Sequence, residues 1–382
     1  MNTRKKPRRV VLAFSGGLNS TVAIPWLASA GDGADPGEPF RETGGNDVVT
    51  ISLDLGQGSE LEEVRDRALA TGAVRAHVLD VRDDFARDFI TRALKADALA
   101  DDRAPMGPAL AVPLIAKRLV EIAGIEQAAT VAHGAADRVA AARFEAAIRA
   151  LNPNLTVLAP ARDWNLTRIE AIEYANIRNI AVPVTVEMPH SSDANVWGRS
   201  VAGNATDSWD EPPEELFAVT MAASACPSEA AYVDIAFERG VPTAVNGVSM
   251  PLIDIISTVG MIAGSHGVGR LDIAASRARE IGEAPAAAVL HMAHAELQKL
   301  VTTKDAVKFS RTVSREYADL VERGAWFSPL REALDAYVDR IQERVNGAIR
   351  LKLFKGDARI VGRKPVEVKA PGKRLRVLAK TH

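Results

Sequence analysis

The sequence predicts an α/β nucleotide-binding domain built on a parallel sheet, followed by a second domain of mixed α+β character. Three observations carry that prediction. From residue 8 to residue 162, short β-branched runs alternate with helical stretches, the rhythm of a parallel sheet covered on both faces. The first run ends in a paired-glycine turn, the place where open α/β sheets receive anionic ligands. After about residue 165 the alternation gives way to hairpin-like and glycine-rich segments. The expected division is 1–165, 166–356 and a C-terminal arm over 357–382.

RRVVLAF (8–14) reads as the first strand and STVAIPWLASAG (20–31) as the first helix. The polar, Gly/Pro-rich stretch 32–47 joins that helix to VVTISLDLG (48–56), a second strand, so it belongs at the N-terminal ends of the strands, away from a ligand. A helix over 60–73, a strand over 75–81, a helix over 82–99, a helix over 113–125 and a strand over 128–134 continue the pattern. LTVLAPAR (155–162) supplies a fifth strand. Beyond it, 208–216 reads as loop, 232–247 as strand–turn–strand and GSHGVGRLDI (264–273) as a glycine-rich connector. Residues 328–345 form a helix with Leu330, Leu334, Tyr337, Val338, Ile341 and Val345 along one stripe, and 350–356 alternate like a strand.

The 382 residues suffice for two domains. Hydrophobic content of 47%, charged content of 25% and a net charge of −2 describe an ordinary globular chain and do not point to a general polyanion binder. The basic ends, TRKKPRR and KAPGKRLRVLAKTH, could be nucleic-acid arms but read more simply as solvated tails. One cysteine, Cys226, allows neither an internal disulfide nor a paired-cysteine metal site, which suits a reducing compartment. With no apolar run approaching ~18 residues, the expectation is a cytoplasmic protein with small-molecule substrates and no nucleic-acid or membrane partner.

AFSGGLNS (13–20) is the strongest local signal. Gly16 and Gly17 let the backbone turn sharply against an anion, and the start of the next helix offers N–H groups and a positive dipole end. Ser15, Ser20 and Thr21 add hydroxyls. There is no lysine for a Gly-x4-Gly-Lys phosphate loop and no Gly-x-Gly-x-x-Gly fingerprint, and a purely structural tight turn would use the same residues. Asn19 can cap the helix but brings no charge to a magnesium ion, and Pro25 predicts a kink one turn in.

SGGLNSTVAI, SLDLGQG (52–58), APMGPALAVPLIAK (104–117), AHG (132–134), RFEAAIRALNP (143–153), PHSSDANVWGRS (189–200), GSHGVGRLDI, residues 324–356 and VGRKP (361–365) together resemble the argininosuccinate synthase family along nearly the whole chain. The resemblance implies an N-type ATP pyrophosphatase fold (adenine nucleotide alpha hydrolase-like), a synthetase domain and a C-terminal arm that helps build a homotetramer. It implies an ATP-dependent ligase in which the ureido oxygen of citrulline is adenylated, pyrophosphate leaves and the amine of aspartate displaces AMP. ATP and Mg2+ are the implied cofactors. The residues it places at the nucleotide are Ala13, Phe14, Ser15, Gly16, Gly17, Leu18, Asn19 (an aspartate in the family), Ser20, Thr21, Ser52 and Gly134, with Asp54 keeping its place in DLGQ.

The amino-acid half departs from the family pattern. A YPLGT-type segment is here Ala104-Pro105-Met106-Gly107-Pro108, and an expected arginine is Val112. A TGKGNDQ-type stretch is AADRVAAA (135–142), an alanine-rich run that predicts a turn of helix. A substrate-binding glutamate falls on Ala275, a short segment is missing after Arg277, and a tyrosine falls on Gly282. Arg143, Ser191 and Ser200 retain family contacts to substrate, although Arg143 could instead tie down its helix and the serines could be turn residues. Because a zwitterion needs paired charges, the expectation from these changes is an argininosuccinate-synthase-like ligase acting on a carbonyl, carboxyl or ureido substrate other than citrulline. The alternatives are a non-catalytic ATP-binding homologue and true argininosuccinate synthase with compensation from Asp137, Arg138 or Asp193. Catalytic residues and metal ligands are not assigned by the sequence.

Overall fold

The computed structural model describes residues 8–29, 45–58, 61–164, 167–182, 191–202, 209–275 and 278–366. Its N-terminal part is a parallel sheet of β1 (Arg9–Ala13), β2 (Asp47–Asp54), β3 (Arg75–Asp80), β4 (Thr130–His133) and β5 (Thr156–Leu158), in the spatial order β3-β2-β1-β4-β5. β2 is buried from Val48 to Leu53, as a central strand covered on both faces requires. The connections are α1 (Leu18–Ser29), α2 (Leu61–Ala70), α3 (Arg82–Phe85), α4 (Thr91–Ala96), α5 (Gly107–Ile125) and α6 (Arg138–Leu151). A π turn over Ala86–Ile90 joins α3 to α4, so the helix expected over 82–99 forms with one irregular turn and stops at Asp97, whose φ is 51°. α1 runs from Leu18 to Ser29 with Pro25, where the sequence predicts a kink, inside it. The fifth strand is shorter than the sequence suggests, because Pro160 opens the short helix α7 (Pro160–Asp163). Most of the loop expected at the N-terminal strand ends lies outside the described residues.

Helix α8 (Arg168–Ile177) starts with a complete capping box between Thr167 and Glu170 and packs Ala171, Ile172 and Ala175 on Leu18 and Val22 of α1. Two antiparallel sheets follow. One contains the hairpin β6 (Ser191–Asn195) and β7 (Gly198–Ala202). The other contains β8 (Ala231–Glu238), β9 (Val241–Val245) and β10 (Val248–Ser249). After α9 (Leu252–Ser265), β11 (Arg270–Ala275) and β12 (Ala278–Glu283) complete the first sheet in the order β11-β12-β7-β6. The stretch expected as a connector over 264–273 is therefore the end of α9, a turn and the start of β11. Helices α10 (Pro285–Val301), α11 (Lys304–Glu322) and α12 (Pro329–Gln342) precede β13 (Gly347–Phe354) and β14 (Asp357–Pro365), which close the second sheet as β10-β9-β8-β13-β14. Residues 357–365, expected within an arm, thus pair along β13.

Candidate active site

β1 delivers the loop to the C-terminal edge of the parallel sheet. The Phe14 N–H donates to the Ile51 carbonyl at 2.8 Å, and the Ser52 hydroxyl donates back to the Phe14 carbonyl at 2.8 Å, so β2 holds the chain just before it turns. Gly16 takes φ +76°, a conformation that L side chains rarely adopt. Thr21 N–H donates to the Gly17 carbonyl at 3.0 Å and opens α1, with the Thr21 and Ser20 hydroxyls on the same carbonyl at 2.8 and 3.1 Å. Ser15 Oγ accepts from the Gly17 N–H at 3.4 Å and stands 3.2 Å from Ser20 Oγ. Gly17 therefore precedes the helix, and Asn19 sits inside its first turn rather than capping it; the Ser20 and Thr21 hydroxyls donate back to the Gly17 carbonyl. The Asn19 side chain lines a recess with Val22, Pro160, Ala161, Trp164 and Ala171. N–H groups of a first helical turn have no intrahelical acceptor and carry the positive end of the dipole, so this loop is built to receive an anion.

Gly134, directly after β4, brings the neighbouring loop against this helix start; a Cβ there would stand 3.4 Å from the Ser20 Cβ. His133 is fully buried and stacks on Phe144 with ring centroids 4.8 Å apart. Burial lowers its imidazole to about 4, with the Arg162 charge acting in the same direction and those of Glu145 and Asp163 opposing it.

The DLGQ segment forms the seam to the second half. Asp54 accepts from the Gly56 N–H at 2.8 Å, and the Gln57 side chain bridges Leu55 N–H and the Leu53 carbonyl at 2.7 and 2.8 Å. Leu55 in turn accepts from Val196 N–H at 2.7 Å. Asn195 then clamps the hairpin to the start of α5: its amide donates to the Gly107 carbonyl at 2.9 Å, and its oxygen accepts from Trp197 and Gly198 at 2.8 and 3.2 Å. The Ala104–Pro108 segment thus faces the β6–β7 turn, and Val112 is buried in α5.

On the acceptor side, the registers place Ser200 opposite both Gly282 and Asp193, with Glu280 two residues along from Gly282 on the same face of the sheet. Glu280, together with Glu322 and Asp137, lies within electrostatic reach of Arg143. Arg143 Nε–H donates to the Glu322 carbonyl at 2.6 Å, so this arginine does tie α6 to the end of α11. Burial pushes its guanidinium below the ordinary value, against the pull of those carboxylates. Ser191 pairs with Ala202 at the start of β6, and Ala275 pairs with Ala278. The run 135–142 is the entry to α6: Asp137 is its N-cap and accepts from the Ala140 N–H at 2.8 Å. Asp137 is thereby occupied with the helix, and Asp193 remains exposed on the sheet.

Two positions escaped sequence reasoning. Glu283 is buried and accepts from the N–H groups of Ala218, Val219 and Thr220, the Thr220 hydroxyl and Arg199, at 2.7–2.9 Å. Burial alone would raise its carboxyl, yet these donors hold it below the ordinary range. Arg67 on α2 reaches the Gly16 carbonyl at 2.9 Å. Neither has a local sequence signal, because their partners lie 51 to 84 residues away.

Comparison with known proteins matches the same two halves. Residues 9–181 match the model of the arginosuccinate synthase N-terminal HUP domain, and residues 190–368 match that of the arginosuccinate synthase C-terminal domain. Among curated proteins, the chain is 45% identical over 366 residues to an argininosuccinate synthase of Rubrobacter xylanophilus, covering 93% of this chain and 85% of that one. It is 44% identical to one of Synechocystis, covering 94% and 88%, and 43% identical to one of Halalkalibacterium halodurans, covering 94% and 86%. These relatives lend no support to the expectation of a divergent site with a changed acceptor. With both halves matched and the phosphate loop formed, the chain belongs to the argininosuccinate synthase family and is an ATP-dependent, AMP-forming carbon–nitrogen ligase of the argininosuccinate synthase type.

Proposed function

We propose that the chain makes argininosuccinate from citrulline and aspartate. What carries this reading is identity of 43–45% over more than nine-tenths of the chain with proteins named argininosuccinate synthase, joined to a formed phosphate loop. ATP would lie with its phosphates at the Ser15–Thr21 turn and its adenine beside Ala13, Ser52 and Gly134. Mg2+ would ride on the phosphates, with Asn19 offering only a neutral amide. The ureido oxygen attacks the α-phosphorus, the bond to the bridging oxygen breaks with its electron pair leaving on pyrophosphate, and the aspartate amine then displaces AMP. Adenylation converts a poor leaving oxygen into a good one, and the protein's task is mainly to position and to stabilise charge. Arg143, Ser191 and Ser200 would contact the acceptor. A homotetramer in the cytoplasm accompanies this reading; among the described residues no helix is long and apolar enough to cross a membrane.

A second reading, a different acceptor, rests on residues 135–142 being a capped helix entry and on Val112 and Gly282 standing where the resemblance implies arginine and tyrosine. One assay separates the two. AMP and pyrophosphate release is measured with citrulline and aspartate, then with a panel of other ureas and carboxylic acids and with other amines. Turnover of roughly 1 s⁻¹ or faster with citrulline and aspartate establishes the first reading. Turnover only with another acceptor establishes the second, and ATP binding without turnover on any substrate identifies a non-catalytic homologue.

A further inference from the structure

We propose that Arg67 is a phosphate-binding cation of the nucleotide site, holding the β- and γ-phosphoryl groups and the departing pyrophosphate. This rests on the reading of residues 13–21 as an ATP site. The loop itself contains no cationic side chain. Arg67 reaches it from α2: Nη1 donates to the Gly16 carbonyl at 2.9 Å and would stand 3.1 Å from a Cβ at Gly16. No carboxylate among the described residues pairs with Arg67, although Glu63 and Asp66 share its helix. Several other guanidiniums of this domain are held in ion pairs: Arg82 with Asp80 and Asp54, Arg9 and Arg75 sharing Glu126, Arg162 with Glu145 and Asp163. A half-buried guanidinium has five N–H donors in a planar fork, and the Gly16 carbonyl uses one of them. The remaining donors and the full charge stand beside a loop shaped for an anion. As the bond to the α-phosphorus breaks, negative charge accumulates on the pyrophosphate oxygens, where a fixed cation stabilises the transition state more than the ground state.

The test separates charge from loop support. Binding of ATP, pyrophosphate and AMP is measured by calorimetry, with Mg2+ present, for the full chain and for Arg67→Gln and Arg67→Lys. Glutamine keeps an N–H for the Gly16 carbonyl and removes the charge; lysine keeps the charge. The expected result is about 10- to 100-fold weaker ATP and pyrophosphate binding for Arg67→Gln, the loss typical of one charge-assisted hydrogen bond. AMP binding should hold within about twofold, and Arg67→Lys should recover part of the loss. Unchanged ATP affinity in Arg67→Gln, or equal losses for ATP and AMP, would overturn the proposal and leave Arg67 a loop support. Failure of the unsubstituted chain to bind ATP would instead overturn the ATP reading itself, and it shows before any variant is compared.

Discussion

His133 stacks on Phe144 beside the phosphate loop, and His294 lies fully buried with Nε2 2.8 Å from the Gln342 side-chain oxygen. Burial lowers both imidazoles to about 4. The unfolded chain, with histidines near 6.5, takes up protons first as the pH falls. The stability these two neutral rings contribute is therefore complete above about pH 6.5 and is lost progressively toward pH 4, by roughly 1–3 kcal/mol each. Urea midpoints at pH 7.5, 6 and 5 should fall in sequence, and His133→Phe should flatten part of the slope; equal midpoints at pH 7.5 and 5 would refute this. At this scale the sequence displays the loop residues themselves, since their chemistry is local. It does not display Arg67 or Glu283, whose roles depend on distant backbone, nor that Asn19 falls inside the first turn of α1 while the Ser20 and Thr21 hydroxyls donate to the Gly17 carbonyl.

Among the elements, α6 shows how a binding loop can be read as a helix entry. Alanines at 140–142 favour helix, Asp137 supplies the cap, and Arg143 fastens the helix to the Glu322 carbonyl. Asp137→Ala should lower stability by about 1 kcal/mol, seen in the denaturant midpoint, whereas Asp137→Ser or Asp137→Asn should restore most of it. If Asp137→Ala matches the parent midpoint, the cap contributes nothing. α12 marks the limit of periodicity: Val338 is buried as the stripe requires, but Leu330 is 45% exposed, and Val345 is buried only beyond the helix end. Periodicity fixes which residues share a face, while the neighbours decide how far along that face is covered. Helices α9, α10 and α11 carry an apolar face each, yet they lack the strand-by-strand alternation that made the first half easy to read.

In the whole molecule, the two halves meet where Gly56, Val196, Asn195 and Gly107 come together. Gly56 has φ +85°, and a Cβ there would lie 2.2 Å from Val196 Cγ1. Gly56→Ala combines backbone strain with that overlap and should destabilise by about 2 kcal/mol or more, with Val196→Ala in the same chain relieving the overlap but not the strain. Thermal unfolding of the two single variants and the double variant tests the coupling; strictly additive effects would show that the two positions do not press on each other. Asn195→Ala should loosen the Gly107 clamp, raising the acceptor KM more than it lowers kcat, and an unchanged KM would place the clamp outside acceptor binding. By itself the sequence determined the parallel sheet, the phosphate loop and the family, because hydrophobic alternation and a contiguous glycine turn are written in neighbouring residues. Only the tertiary structure decided that Arg67 stands against Gly16, that Glu283 gathers the 218–220 backbone, and that Arg143 fastens α6 to the Glu322 carbonyl. Each of those contacts joins residues dozens of positions apart, and no local pattern encodes which distant surface will be pressed against which.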